Sequence, residues 1–445
     1  MRTEITTPEG TGRTAAGWWP LAAIALAVFM LMLDATVVTV ALPDLGRDLH
    51  AGLDGLQWAM NAYTLAMAAF QLTAGSLADR LGRRRTFLAG VVAFAVSSLA
   101  CGLATALPVL IAARVVQGLA GALMFATTLA LIAQCYDGRD RGIALGVRGT
   151  VAGLAVVLGP VAGGALVSGF GWRWIFLINL PVAALTLALA HRSLPRREHL
   201  EVRRLDLAGP VLLAITLVLL VLALLRGADD VRLYAGSAAG AVAFLLLQRR
   251  RREPMLDLTL FRSRVFTGTQ VGSFTVQASV FALLIYLSVY FQEHEHYTAL
   301  RTGLAFLPLV VPILLAGPVA GAVMDRMPKG ALVAGALASL TTGIALMDAH
   351  LTTGLIVAGF GCGVVLPVLG GLAVDIPDER HLGMASGVNN TVLQVGISVG
   401  IAVYGAVLGA GAPSHADLGR LFSLGAAIAL TGAVLTAIML RGRSR

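Results

Sequence analysis

Long apolar runs alternate along this chain with short polar breaks that carry most of the arginine. The runs reach about 20 residues or more, the length a helix needs to cross a hydrocarbon core about 30 Å thick. The ten-residue alternating segments of a membrane barrel are absent from the pattern. It predicts fourteen helices, near 18–42, 56–78, 86–106, 108–134, 143–169, 172–191, 206–226, 233–248, 265–291, 302–324, 330–348, 351–374, 383–410 and 419–440. The first run, Trp18 to Pro43, is too long for the apolar part of a cleavable signal, and no small-residue cleavage site follows it.

Composition turns the pattern into a class. Hydrophobic residues make up 57% of the chain, charged residues 13%, and the mean hydropathy is +0.83. A soluble domain needs about 25% charged residues to coat its surface, so most of this surface meets lipid. With both termini cytoplasmic, most of the 33 Lys+Arg fall in inner loops and tails, Arg148 being read with the loop before helix five. The outer loops hold Arg47, Arg173, Arg226, Arg232, Arg301 and Arg420, and Arg114 lies within a helix. That asymmetry follows the positive-inside rule. The net charge of +9 therefore implies headgroup anchors and no nucleic-acid partner. Cys101, Cys135 and Cys362 sit in or beside apolar spans at unrelated spacings, which suits neither a disulfide framework nor a metal site.

Two internal matches indicate duplication. Gly75-Ser-Leu-Ala-Asp-Arg80 is echoed by Gly321-Ala-Val-Met-Asp-Arg326, and the pattern AxGVxxTV at Ala144–Val151 returns at Ala385–Val392. Each offset spans eight predicted helices, where two six-helix halves would give six. Two helices, near 206–226 and 233–248, are therefore read as a peripheral inserted hairpin between parallel repeats.

A few polar residues lie too deep to be incidental. At about 1.5 Å per residue, Asp34 lies roughly 24 Å from the inner end of helix one and about 13 Å from Pro43. Its short side chain reaches neither surface, so it must face a cavity, take a partner or hold a proton. Arg114 is expected to face the bundle interior, with Gln117 on the same face one turn on. Gly75 before a helix end lets a neighbour approach, and Asp79 at the bilayer edge can latch onto an arginine or a helix N-terminus. Gly153, Gly159, Gly163 and Gly164 give helix five a small-residue packing face, and Pro160 permits a kink.

These segments carry a family resemblance. Gly75–Arg85 resembles the cytoplasmic signature loop of the major facilitator superfamily, with Gly321–Arg326 its degenerate copy. ARVVQGLAGALM around Arg114 is similar to the fourth-helix motif of proton-coupled members, and GLAVVLGPVAGG to the fifth-helix motif of exporters. LDATVVTVALP and GWRWIFLINLP resemble motifs of fourteen-helix drug:proton antiporters. The resemblance implies an all-α integral membrane fold: a six-helix bundle over 1–191, the inserted hairpin over 192–264 and a second six-helix bundle over 265–445. It implies proton coupling at Asp34 and Arg114, and a conformational gate of Gly75, Asp79, Arg80, Arg84, Asp325 and Arg326. It further implies that the fifth-helix glycine face seals the cytoplasmic side when the carrier faces outward.

The expected function is a secondary exporter of lipophilic or cationic drugs or antibiotics in a bacterial cytoplasmic membrane, exchanging them for protons as a monomer. A proton-coupled uptake symporter on the same fold is the alternative. No enzyme is expected, because no nucleophile–base pair or metal cluster is visible. No cofactor is expected either: the only lysine, Lys329, sits in MPKGAL, so a phosphate-cradling loop is missing and the proton motive force must drive transport. Candidate cavity residues on helix two are Trp58, Asn61, Tyr63 and Gln71, with Gln117 on helix four. Gln270, Gln277 and Tyr286 on helix nine and Asn389, Asn390 and Gln394 on helix thirteen complete the set. Because acids other than Asp34 are scarce at depth, neutral or monocationic cargo is expected over dications.

Overall fold

The computed structural model describes residues 17–195, 206, 208–226, 230–251, 254–324, 327–374, 382–408 and 413–440. The second gate pair, Asp325 and Arg326, lies outside them. The helices are α1 Trp19–Asp48, α2 Leu53–Leu81, α3 Arg83–Gly102, α4 Leu107–Cys135, α5 Gly138–Phe170 and α6 Trp174–Ser193. Next come α7 Ala208–Arg226, α8 Val231–Arg250 and α9 Arg264–Glu293, the last with a π turn at Gln277–Phe281. Then follow α10 in two pieces, Ala299–Ala305 and Leu307–Met324, α11 Lys329–Leu346, α12 Leu351–Val374, α13 Leu382–Leu408 and α14 His415–Leu440. Among the described residues, eleven helices are long and apolar enough to cross a membrane, or thirteen if each of two bent pairs is one span. α2 falls outside that count: it is 29 residues long but carries Gln57, Asn61 and Gln71 among its apolar positions.

Proline acts differently at two places. Pro43 does not end helix one, as the apolar pattern suggested. α1 continues through it to Asp48, where the indole N–H of Trp172 (3.0 Å) and Nη1 of Arg173 (2.7 Å) both donate to the Asp48 carboxylate and hold the added turn. α5, by contrast, bends by 43° between Ile143–Ala155 and Leu158–Phe170. Pro160 removes the N–H that would have bonded one turn back, across that bend.

α1 to α6 form one bundle, with α2 on α4, α1 on α5 and α6, and α3 on α4 and α6. α9 to α14 form another, with α11 and α10 on α12, and α14 on α11 and α9. The bundles meet along α2–α13, α5–α10 and α1–α9. One end of this seam is tightly sealed. Gln57 donates to the Tyr286 hydroxyl (3.1 Å), which donates to the Ile401 carbonyl, and Gln292 donates to the Val40 carbonyl (2.8 Å). There α5 and α10 touch backbone to backbone: a Cβ on Gly303 would overlap the Pro160 carbonyl, and one on Gly164 the Ala299 carbonyl. At the opposite, arginine-rich end, Cβ atoms built on Gly75, Gly146, Gly149, Gly153 and Gly370 would meet nothing within 4 Å. Along α5 the seam is tightly packed toward one end and unpacked toward the other.

The inserted hairpin is less peripheral than its sequence suggests. Leu217 and Val221 of α7 pack with Leu65 and Ala68 of α2 and Ala402 of α13, covering one seam between the bundles. Asp206 ties its base: the carboxylate accepts from the Gly209 N–H (2.9 Å) and Gln248 Nε2 (3.3 Å) and pairs with Arg251 (3.5 Å). Its carbonyl accepts from Thr73 of α2 (3.4 Å). Asp206→Ala removes what acts as a helix-start cap and is expected to cost about 1 kcal/mol. A lowered thermal unfolding temperature in detergent, with export intact, is the expected readout; an unshifted transition would show that the latch contributes nothing.

Candidate functional site

Asp34 lies near the middle of the extended α1, about 21 Å from Asp48, and is fully buried. Arg114 of α4 meets it at 2.6 Å through Nη1, and that side chain is also buried. The second carboxylate oxygen accepts from Gln117 Nε2 (3.0 Å) and Asn179 Nδ2 (2.9 Å). Three N–H donors on two oxygens is the pattern an ionised carboxylate satisfies. Further bonds hold the donors: Arg114 Nη1 also donates to Gln117 Oε1 (2.8 Å), and Arg114 Nε to the Ala59 carbonyl (3.3 Å). Ser98 Oγ accepts from Gln117 (2.8 Å) and Asn179 (3.2 Å). The Arg114 guanidinium lies over the Tyr63 ring at 4.2 Å. Four helices of the first bundle thus converge on one carboxylate, and Arg114 faces inward rather than snorkelling.

Several expectations change here. Tyr63 and Gln117 belong to this charge site rather than to a cavity wall. Asn179 and Ser98, which the sequence reading gave no role, are part of it. The signal for Asn179 was present, an amide inside the apolar run IFLINLPV, and the argument applied to Asp34 holds for it too. Trp58 packs beside the α7 hairpin cluster instead of facing a central space, because the hairpin occupies that side of α2. Tyr286 is a bridge at the sealed end. Asn389 accepts from Ser273 (2.9 Å) and Gln394 donates to Met67 Sδ (2.9 Å), a cross-bundle contact. Asn390 is partly exposed on α13. Asn61 and Gln270 are buried with both amide atoms unpartnered, and Gln71 and Gln277 each leave a carbonyl oxygen so.

The bonds seen for the Gly75–Arg85 loop lie within the first bundle. No helix approaches Gly75, contrary to the close contact its sequence position suggested, since this end of the seam is open. Asp79 pairs with Arg83 in its own loop (3.3 Å), Arg80 is exposed, and Arg84 donates to the His191 carbonyl at the end of α6 (2.9 Å). On α5, Gly159 and Gly163 press on Thr36 and Val37 of α1, Gly164 presses on α10, and Gly153 faces open space. The small-residue face therefore seals one end here and is free at the other.

Two helical bundles meet on a seam, and the first holds a buried charge pair among its helices. The model of the Major Facilitator Superfamily matches residues 24–401, and the chain belongs to that superfamily. It is 35% identical over 406 residues to the multidrug resistance protein Stp of Mycobacterium tuberculosis (strain CDC 1551 / Oshkosh), covering 88% of this chain and 75% of that protein. It is 34% identical over 424 residues to the tetracenomycin C resistance and export protein of Streptomyces glaucescens, covering 90% and 79%. The crystal structure of a D-xylose-proton symporter superposes with a TM-score of 0.68 at 15% identity, covering 96% of this chain and 97% of that one, a likeness of fold. The protein is a multi-pass membrane transporter and not an enzyme.

Proposed function

We propose that the protein exports an amphipathic drug or antibiotic across a bacterial cytoplasmic membrane in exchange for protons, working as a monomer of the fourteen-helix antiporter subgroup. α2 and the two bent helices complete fourteen spans, and both termini and the arginine-rich end face the cytoplasm, so the described state faces inward. The observation that carries this reading is the buried carboxylate of Asp34, held by Arg114, Gln117 and Asn179. In the inward-facing state Arg114, Gln117 and Asn179 hold the carboxylate after its proton has left to the cytoplasm. A proton arriving from outside cancels the attraction to Arg114 and loosens α1 from α4, freeing the bundle to change sides. Each entering proton supplies about 2.3 kcal/mol per 100 mV and about 1.4 per pH unit; no cofactor is needed.

The relatives' names, resistance and export among them, support export over uptake. Inverted membrane vesicles test the direction. Energised vesicles are expected to accumulate a fluorescent substrate several-fold above vesicles treated with a protonophore. Proton-driven loss of preloaded substrate would instead establish a symporter.

A further inference from the structure

One charge in the first bundle is not used by the Asp34 site. Arg148 lies on α5, ten residues past Gly138 and about 15 Å along the helix, so it belongs to a helix rather than to a loop. Its Nε donates to Thr128 Oγ1 of α4 (3.2 Å) and its guanidinium lies over the Phe125 ring at 4.8 Å. Nη2 is buried with no partner, and Arg148 makes no ion pair among the described residues. A guanidinium nitrogen buried without a partner or a counter-charge is costly. The fold does not demand it: in the internal repeat the same slot is Asn389, a neutral amide satisfied by Ser273. The charge is therefore kept for something that comes and goes. A guest can reach it, because the Arg148 side chain is only partly buried.

The deep charges of the described helices then sum simply. Asp34 and Arg114 cancel each other, and both carboxylate oxygens are taken by N–H donors, so no carboxylate is left for a cationic cargo, and Arg148 remains. We propose that Arg148 is an anion-recognising subsite on the export path, and that the preferred cargo bears one acidic oxygen group, a carboxylate or acidic phenol, on an aromatic or apolar body. This rests on the export reading above and replaces the sequence-based expectation of neutral or monocationic cargo. The guanidinium fork suits a carboxylate through two N–H bonds, and the Phe125 ring supplies an apolar wall beside it. Export of a monoanion against one entering proton also moves two charges per cycle, whereas one-for-one exchange of a monocation moves none.

The test compares dansyl-phenylalanine with its uncharged amide, binding each to the purified full-length protein in detergent by fluorescence. The wild type is expected to prefer the acid about tenfold or more, consistent with a charge-assisted bidentate contact. Arg148→Gln is expected to bring the ratio near one, and Arg148→Lys, which keeps the charge, to retain part of the preference. A wild-type ratio near one, or an unchanged ratio in R148Q, overturns the proposal. Phosphatidylglycerol that displaces the acid from wild type would give the site to a lipid phosphate, which also overturns it. Acid-selective binding without uphill accumulation in inverted vesicles would overturn export while leaving the subsite standing.

Discussion

Asp34→Asn abolishes uphill export, lowering the steady-state gradient of an uncharged substrate about five-hundredfold at a membrane potential near 100 mV and one pH unit. The magnitude follows from the roughly 4 kcal/mol that one proton supplies under those conditions. An amide at this position cannot gain or lose the proton, while its size leaves the packing of α1 unchanged. The substitution also removes the counter-charge of a buried arginine, and breaking one partner of such a pair costs about 3–5 kcal/mol. Lower thermal stability is therefore expected together with lost coupling. Asp34→Asn with Arg114→Gln separates the two effects: stability recovers in part because no charge is left unpaired, and coupling does not. Uphill export by the double variant would remove Asp34 from the coupling step.

Gly303→Ala should have the next largest effect, a tenfold or greater fall in export from one methyl group. Its Cβ would overlap the Pro160 carbonyl, and a backbone atom cannot rotate away as a side chain can. Overpacking of this kind costs about 1–3 kcal/mol. Here the strain falls only on the state in which α5 and α10 touch, so the equilibrium moves away from the form shut at that end. Amide hydrogen exchange over 299–306 is expected to quicken as the seam opens, while exchange in α3 and α4 stays as it was. Unchanged exchange together with unchanged export would mean that this contact is not a gate.

Much of this architecture was legible in the chain, for reasons that differ from element to element. Helix positions followed from apolar length, because lipid leaves a buried backbone few ways to satisfy its hydrogen bonds. Asp34 and Arg114 stood out because a charge at depth is expensive in any arrangement. What the pattern could not carry was partnership. Nothing in one dimension tells that Asp34 and Arg114, 80 positions apart, meet at 2.6 Å, or that Asn179 completes their shell. Trp58 and Tyr286 were read as cavity residues by type alone, whereas packing gave them to the hairpin groove and the sealed end. Arg148 was absorbed into a loop by the count of positive charges; the observed α5, which starts at Gly138, puts it on the helix. Pro43 misled because its ring forbids one hydrogen bond, not a helix whose end is tied down by Trp172 and Arg173.

Whether Asp34 carries the coupled proton is tested most directly by following H⁺ and substrate together in liposomes holding the purified protein. An outward substrate gradient should drive protons the opposite way in wild type, and an imposed pH step should drive substrate; both linkages should vanish in Asp34→Asn. Substrate flux that proceeds without proton movement in wild type, or coupled flux that survives in the variant, would contradict the role given to Asp34.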